Sequence, residues 1–222
     1  MQRHFDQELT ELKDKLMTMA GHANASVSNS IRALVERDDA RAEDVKRQDD
    51  DLDRLEMEVD ELAIHLLSKA PLATDLRLIT VAMKISHDLE RVGDEATAIA
   101  KQAIKLNAEP QLKPYVDITR MTEIALEMLN AALDAFVNRD TAKARGVIPR
   151  DESVDALNKQ LHRELASYMV EQPPTITRCL CLMTISKRLE RIADHATNIA
   201  EEVVYLYEAR DIRHGGDQEP VK

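Results

Sequence analysis

The sequence predicts an all-α protein made of two tandem three-helix bundles. Five glycines, seven prolines and 3% aromatic residues in 222 positions are too few for a turn-rich β-protein, whose strands favour aromatic and β-branched residues. Apolar residues recur at helical spacing over most of the chain. The pattern of the first half also returns in the second half, which indicates an internal duplication.

The duplication is visible as repeated segments at a nearly constant distance. ALVERDDARAEDV at 33–45 recurs as AFVNRDTAKARGV at 135–147, a shift of 102 residues. ISHDLERVGDEATAIA at 85–100 recurs at 185–200 with ten of 16 residues identical, at a shift of 100. A segment flanked by prolines, 107–115, joins the two copies. The sequence therefore predicts a first repeat at 1–108, a second repeat at 109–210 and a disordered tail at 211–222.

Each repeat contains three helical patterns that begin and end at equivalent positions. The first repeat predicts helices over about 5–36, 40–69 and 72–106, and the second over about 115–138, 141–171 and 175–209. Asp38 or Asp39 can cap the second helix, which Pro71 stops, and Asp140 caps its counterpart, which Pro173 and Pro174 stop. Pro149 lies inside this counterpart, so we expect a kink there or a helix that starts later.

The charge balance argues against a nucleic-acid partner. Thirty Lys and Arg stand against 41 Asp and Glu, which gives a formal net charge of −11 and a pI near 5.1. A protein that neutralises phosphates needs a positive surface, and an acidic chain repels them at long range. The N-terminal segment is polar and no apolar run reaches the ~18 residues of a membrane span, so we expect a cytoplasmic protein that meets membranes only through its partners.

Acidic residues line one flank of the second and third helices of each repeat. In the first repeat these residues are Asp49 and Asp53 on the second helix and Glu90 and Asp94 on the third. In the second repeat they are Asp151 and Asp155, followed by Glu190 and Asp194. Asp53 and Glu90 lie 18 and 19 residues on either side of Pro71, so the two acidic rows reach the same level in a helical hairpin. We therefore expect four carboxylates to converge in each repeat.

Converging carboxylates repel one another and require a positive neighbour. Oxygen ligands suit polyvalent cations, and the same ligands accept several metals, so the sequence leaves iron, zinc, manganese and magnesium as alternatives. The other explanation is a set of ordinary salt bridges on a solvated helix surface. Basic residues available for such salt bridges are Arg91, Arg191, Arg54 and Lys101.

The acidic motifs lie within longer segments that resemble a known family. Leu-Glu-Arg-Val-Gly-Asp at 89–94 and Leu-Glu-Arg-Ile-Ala-Asp at 189–194, together with Asp75-Leu76-Arg77, are similar to the PhoU family of phosphate-uptake regulators. The similarity covers nearly the whole chain in both repeats. It implies two three-helix bundles, metal ions or multinuclear clusters bound through the acidic motifs, and frequent homodimers.

The resemblance also implies a role in regulation. A protein of this kind is expected to be a cytoplasmic negative regulator of phosphate uptake and phosphate-starvation signalling. It would act as a metal-binding adaptor between the phosphate ABC transporter and a sensor histidine kinase, and not as an enzyme.

The metal ligands implied by the resemblance differ between the repeats. The first site comprises Asp49, Asp53, Glu90 and Asp94. The second comprises Asp151, Asp155, Glu190, Asp194 and Asn198, with Glu201 offering a further oxygen. The first repeat has Ala98 and Lys101 where the second has Asn198 and Glu201, which removes an oxygen ligand and adds a cation. We therefore expect the second site to bind metal more tightly.

Two other functions remain open from the residues alone. A di-metal carboxylate enzyme on a helical bundle would use Glu-x-x-His pairs, and neither third helix has that spacing. A plain helical adaptor would carry its acids only for solubility. His87 and His162 lie on or near the acidic flanks, where an isolated histidine is usually a hydrogen-bonded surface residue.

Overall fold

The computed structural model describes residues 2–69 and 72–212, which fold into seven α-helices. These are α1 Gln2–Val35, α2 Asp39–Leu67, α3 Ala73–Asn107, α4 Val116–Asn138, α5 Thr141–Val147, α6 Asp151–Glu171 and α7 Ile176–Glu208. Short 3-10 turns at Ile148–Arg150 and Pro173–Thr175 precede α6 and α7. The described ranges contain no strand, so the predicted all-α class is confirmed.

The helices form two bundles, one in each repeat. In the first, α1, α2 and α3 pack against one another through their apolar stripes, and Leu16, Leu52 and Leu89 are buried there. In the second, α4, α6 and α7 form the equivalent bundle, with α5 packed on α4 and α7. Helices α5 and α6 together replace the single second helix of the first repeat. Burying these stripes is what holds each bundle together, since an isolated helix gains little stability from its backbone alone.

Side chains at the helix starts explain where the second helix of each repeat begins. The Asp38 side chain accepts a hydrogen bond from the backbone N–H of Arg41 at 3.0 Å, and Asp140 accepts one from Lys143 at 2.9 Å. Each cap satisfies a backbone donor that has no partner within its helix. The predicted cap at Asp140 is confirmed, and Asp38 is the cap of the two alternatives considered for α2.

Pro149 interrupts the second helix of the second repeat, as predicted. Because proline has no N–H to donate, α5 ends at Val147 and a 3-10 turn at Ile148–Arg150 leads into α6. The interruption has a consequence for the acidic cluster. Asp49 lies within α2, whereas its equivalent Asp151 is the first residue of α6.

Some predicted features fall outside the described residues. Pro71, predicted to stop the second helix, is one of them, and so are residues 213–222 of the predicted tail. Ile212 is described, and its partly buried side chain packs against the core. No helix within 2–69 or 72–212 combines the length and the apolar content that crossing a lipid bilayer requires.

The two bundles meet mainly along α3 and α7, which run antiparallel. Ion pairs that cross this interface are Lys84–Glu202, Asp88–His195 and Glu95–Arg188. Positions 88 and 188 are equivalent in the two repeats, and so are 95 and 195. The last two ion pairs are therefore related by an internal pseudo-twofold axis, with the acid and the base exchanged.

Candidate metal centres

The four acidic residues predicted for the first site lie on α2 and α3, near enough to act on one another electrostatically. We call Asp49, Asp53, Glu90 and Asp94 the first quartet. Gly93 lets the helices approach closely here, since a Cβ atom built on Gly93 would overlap Leu52 Cδ1 and would lie in ordinary van der Waals contact with Asp49 Oδ1 at 3.6 Å. The α2 carboxylate thus lies against the α3 backbone next to Asp94.

The electrostatics of the first quartet show crowding of negative charge. Burial raises the pKa of Asp49, and the charges of Asp94 and Asp53 raise it further. Burial also raises the pKa of Glu90, with the Asp94 charge acting in the same direction and the Arg91 charge opposing both. Both acids therefore retain a proton more readily than they would in water, because burial disfavours the charged carboxylate and the neighbouring acids add repulsion.

The equivalent residues of α6 and α7 also act on one another electrostatically. We call Asp151, Asp155, Glu190 and Asp194 the second quartet. Burial raises the pKa of Asp151 to about 6, and the charges of Asp194 and Asp155 contribute to the shift. Burial and the Glu190 charge raise the pKa of Asp194, against the opposing charge of Lys187. The acids of each quartet thus act on one another electrostatically, although among the described residues neither quartet brings three of its ligand atoms within 4.8 Å of one another.

We expect the metal-free protein to lose stability relative to an Asp151→Asn variant as pH rises from about 4 to 6. In this range the folded state holds a proton on Asp151 that the unfolded chain has released. Folding is therefore favoured at the acidic end, and the advantage is lost above pH 6. The full shift corresponds to about 3 kcal/mol, and solvent screening of this half-buried carboxyl group reduces it to about 1 kcal/mol.

Urea unfolding in a chelator at several pH values measures this difference. An Asp50→Asn variant, which changes an exposed acid of α2, serves as the charge-matched control and should follow the wild type at every pH. An Asp151→Asn curve that also follows the wild type would show that this carboxyl group is not strained by its neighbours.

Two of the basic residues proposed as salt-bridge partners border the first quartet. Arg91 Nη1 lies 3.1 Å from Asp94 Oδ2, and Arg91 Nε lies 3.4 Å from Glu90 Oε2. The Lys101 charge acts on Asp49 and lowers its pKa, although less than burial raises it. Positive charge is therefore present at the edge of this quartet, and the pKa of Asp49 remains raised despite it.

The other two basic residues pair elsewhere. Arg54 Nη2 donates to Asp51 Oδ1 at 2.8 Å, and Arg191 Nη1 donates to Glu95 Oε1 at 3.3 Å across the α3–α7 interface. The salt-bridge explanation therefore accounts for only part of the acidic charge.

Lysines border the second quartet in a different arrangement. Lys159 Nζ lies 3.0 Å from Asp155 Oδ2, one turn away on α6. Lys187 forms an ion pair with Glu190 on α7. Asp151 and Asp194 still have raised pKa values in the presence of these lysines. The second quartet therefore also keeps an excess of negative charge.

Three buried carboxylate oxygens of the quartets accept no hydrogen bond. They are Glu90 Oε2, Asp151 Oδ1 and Glu190 Oε2. Arg91 and Lys187 approach the two glutamates as ion pairs without the alignment of a hydrogen bond. Among the described residues, Asp151 Oδ1 has neither a hydrogen bond nor an ion pair; a buried anionic oxygen in this state is costly, and a bound cation would supply the missing interaction. The donor set, which consists only of carboxylate oxygens in each quartet, fits hard or borderline divalent metals.

Asn198 and Glu201, the further ligands implied for the second site, border the interface with α3. Asn198 Nδ2 lies 3.4 Å from Asp88 Oδ1 of the first repeat, and both Asn198 and Glu201 line a depression between α3 and α7. A helical wheel gives the flank of α7 on which these residues stand. It does not show that packing between the repeats turns them toward α3.

A cluster that the sequence reasoning missed lies beside the first quartet. The ligand atoms of Glu56, His87 and Glu90 all lie within 4.8 Å of one another. His87 Nδ1 is 3.2 Å from Glu56 Oε1. The sequence did contain an indication of this cluster. Glu56 lies on the acidic row of α2, at the level of His87, which we expected to be an ordinary surface residue.

Comparison with known protein families shows to which family the chain is related. The PhoU domain model matches residues 16–103 and 118–203, one match in each repeat. The chain belongs to the PhoU family. The resemblance inferred from the Leu-Glu-Arg motifs is thereby confirmed.

Curated PhoU relatives match the chain over most of its length. The phosphate-specific transport system accessory protein PhoU homologue of Pseudomonas putida is 38% identical over 216 residues, which cover 96% of this chain and 84% of that protein. The homologue of Aquifex aeolicus is 42% identical over 208 residues, which cover 93% and 94% of the two chains.

Crystal structures of PhoU proteins have the same fold. PhoU from Pseudomonas aeruginosa has a TM-score of 0.90 and 38% identity, covering 92% of this chain and 99% of that chain. The phosphate transport system regulatory protein PhoU from Streptococcus pneumoniae has a TM-score of 0.86 and 29% identity, covering 97% and 99%. These relatives are named as accessory and regulatory proteins, so this PhoU chain is not an enzyme, and the di-metal enzyme alternative is set aside.

Proposed function

We propose that this PhoU protein is an accessory regulator that restrains phosphate uptake and phosphate-starvation signalling. It would act in the cytoplasm as a homodimeric adaptor between the phosphate ABC transporter and a sensor histidine kinase, and reach the membrane only through these partners. The names of its relatives support the link to phosphate transport. The observation that carries the metal-dependent part is the presence of two carboxylate quartets at equivalent positions of the two repeats.

The quartets are the residues that would hold the metal. Asp49 and Glu90 in the first repeat, and Asp151 and Asp194 in the second, are acids whose pKa is raised by burial and by neighbouring negative charge. A bound metal ion supplies positive charge that cancels this repulsion. Asn198 and Glu201, which follow Asp194 on α7, are the further oxygen ligands that we propose for the second site.

The mechanism that we propose is a shift between two states of the helical hairpins. Without a cation, the carboxylates of α2 and α3, and those of α6 and α7, repel one another and weaken the packing of these helices. If a cation binds only the folded hairpin, a free cation concentration of about 100 times its Kd stabilises the hairpin by about 2.7 kcal/mol. Metal occupancy thus favours one arrangement of the helix surfaces, and the adaptor would bind its partners in that arrangement.

A complementation experiment tests this function. In cells that lack the endogenous gene, wild-type protein should lower a phosphate-starvation reporter several-fold in phosphate-rich medium. A variant with Asp49→Asn, Asp94→Asn, Asp151→Asn and Asp194→Asn should leave the reporter high, because the quartets can no longer hold a cation. The reporter activity is measured together with the amount of protein in the cells and its recovery with the transporter from solubilised membranes.

The control variant carries the same kind of change at acids outside the quartets. Glu11→Gln and Glu61→Gln alter exposed residues of α1 and α2 and should restore repression as well as the wild type does. Full repression by the quartet variant would refute the metal-dependent part of the proposal. A reporter that stays low when the gene is absent would refute the regulatory part.

A further inference from the structure

The cluster of Glu56, His87 and Glu90 differs from the quartets because it contains a nitrogen ligand. Glu56 projects from α2, while His87 and Glu90 lie one turn apart on α3. Their ligand atoms lie within 4.8 Å of one another, which is close enough to surround one ion after small side-chain rotations. Within residues 2–69 and 72–212, no other group of three His, Cys, Asp or Glu side chains brings its ligand atoms this close together.

The second repeat shows what fills the equivalent position. The counterparts of Glu56, His87 and Glu90 are Asn158, Lys187 and Glu190. Lys187 places its ammonium group against Glu190, so the protein supplies its own cation at this point. The first repeat has an imidazole at this position instead, and the cation beside Glu90 is Arg91, whose Nε atom lies 3.4 Å from Glu90 Oε2.

In the second repeat, the counterpart of Glu56 is held in a hydrogen-bond network. Asn158 Oδ1 accepts a hydrogen bond from Ser186 at 2.8 Å, and His162 Nε2 lies 3.1 Å from the same hydroxyl group. In the first repeat, Ser86 points instead toward Met19 Sδ at 3.3 Å. The side chain of Glu56 is thus left to interact with His87, as an acid and not as an amide held in a network.

The surroundings of the cluster favour a positively charged ligand. Glu56 and His87 line a depression of about 540 Å³ between the two repeats, and its other polar lining includes Asp60, Asp88 and Asn198. Lys84 also lines this depression, but its Nζ atom is paired with Glu202 at 2.9 Å. A cation entering from this side would therefore approach mainly oxygen and imidazole nitrogen atoms.

We propose that Glu56, His87 and Glu90 form a mixed nitrogen and oxygen site for a divalent transition metal, and that zinc is the best-suited ion. The second repeat has no such site, because the ammonium group of Lys187 takes the place of the metal. Three protein ligands with an open position are typical of accessible zinc sites, and imidazole favours zinc over magnesium or calcium. The inference rests on the proposed function in one respect, since Glu90 is shared with the first quartet. It leaves the order of affinity expected for the two quartets as it stands, because that expectation concerns their oxygen ligands.

Zinc titration of the full-length, chelator-stripped protein against a competing chelator tests this site. We expect His87→Ala to weaken the tight zinc site at least tenfold and Glu56→Gln to weaken it similarly. His87→Lys, which copies the residue of the second repeat, should abolish the tight site while the protein remains folded. His65→Ala, at an exposed histidine of α2 outside the cluster, should bind zinc as the wild type does.

The reverse substitution tests the role of Lys187. Asn158→Glu combined with Lys187→His recreates the cluster in the second repeat and should raise the number of tightly bound zinc ions by one per chain. An unchanged zinc affinity in His87→Ala, or an unchanged number of zinc ions in the double variant, would overturn the proposal. Circular dichroism melting of each variant confirms that the chain is folded before titration.

Manganese separates this inference from the proposed function. The quartets contain only oxygen ligands, so His87→Ala should keep the rise in melting temperature that manganese produces, whereas the variant with all four quartet substitutions should lose it. Loss of zinc binding with a retained manganese effect supports the site. Retained zinc binding in His87→Ala overturns the site while leaving the quartets, and the function proposed for them, as they stand.

Discussion

Replacing both Arg188 and Arg191 with methionine is expected to lower the free energy of unfolding by about 3 to 5 kcal/mol. These arginines hold Glu95, whose side chain is only 9% exposed in the interface between α3 and α7. Arg188 Nη1 lies 2.9 Å from one carboxylate oxygen, and Arg191 Nη1 lies 3.3 Å from the other. Without them, a carboxylate is left buried with no charge to compensate it.

The reason for the large effect is the desolvated carboxylate and not the strength of the ion pairs themselves. Breaking a buried pair from one side costs more than replacing all its members with apolar groups, which is often neutral or stabilising. A triple variant that adds Glu95→Met should therefore recover most of the lost stability. Urea denaturation at pH 7 measures all three proteins.

The pseudo-symmetric ion pair provides a matched comparison. His195 Nδ1 lies 2.9 Å from Asp88 Oδ1. Asp88 is the counterpart of Arg188, and His195 is the counterpart of Glu95, so this pair is the pseudo-symmetric equivalent of the Glu95–Arg188 pair. Replacing His195 with glutamine keeps a hydrogen-bond donor beside Asp88 and should cost much less than the double arginine variant. If the double variant loses less than about 1 kcal/mol, Glu95 is not held by these arginines in solution.

The sequence was sufficient to predict most of the fold because the duplication fixed equivalent positions. Asp140 was recognised as a cap because it repeats the Asp38–Asp39 position, and Pro149 was recognised as an interruption because it falls in a segment that is otherwise helical. Both features depend on local backbone chemistry, which a sequence displays directly. The expected convergence of each quartet rests on counting residues on either side of its turn.

What the sequence did not predict depends on packing between the repeats. A helical wheel places Asn198 on the acidic flank of α7, but the contact with Asp88 exists only because α7 packs on α3. Glu95 looks like a surface acid by composition, and the same interface buries it. His87 could not be distinguished from an ordinary surface histidine, because its relation to Glu56 depends on side-chain rotation across two helices.

Substituting Gly93 with alanine should destabilise the first repeat by up to about 2 kcal/mol and weaken metal binding at the first quartet. The added Cβ would overlap Leu52 Cδ1, and Leu52 is only 1% exposed, so its side chain has little space in which to move. Overpacking of this kind costs about 1 to 3 kcal/mol, while the preference of alanine for a helix returns about 1 kcal/mol. Relief of the overlap pushes α2 away from α3 and carries Asp49 with it, since Asp49 Oδ1 lies 3.6 Å from the same Cβ position.

The second repeat shows how this loss can be reversed. At the equivalent positions it has Ala193 and Val154, both fully buried, so the two repeats hold the same number of side-chain carbons with one methylene moved between the helices. Leu52→Val alone should cost about 1 kcal/mol, yet combined with Gly93→Ala it should return the stability and the manganese affinity to near wild type. The double-mutant cycle therefore predicts a coupling of about 2 kcal/mol between these positions. Additive losses, measured by urea unfolding and metal titration of the four proteins, would mean that the contact between Leu52 and Gly93 does not set the distance between α2 and α3.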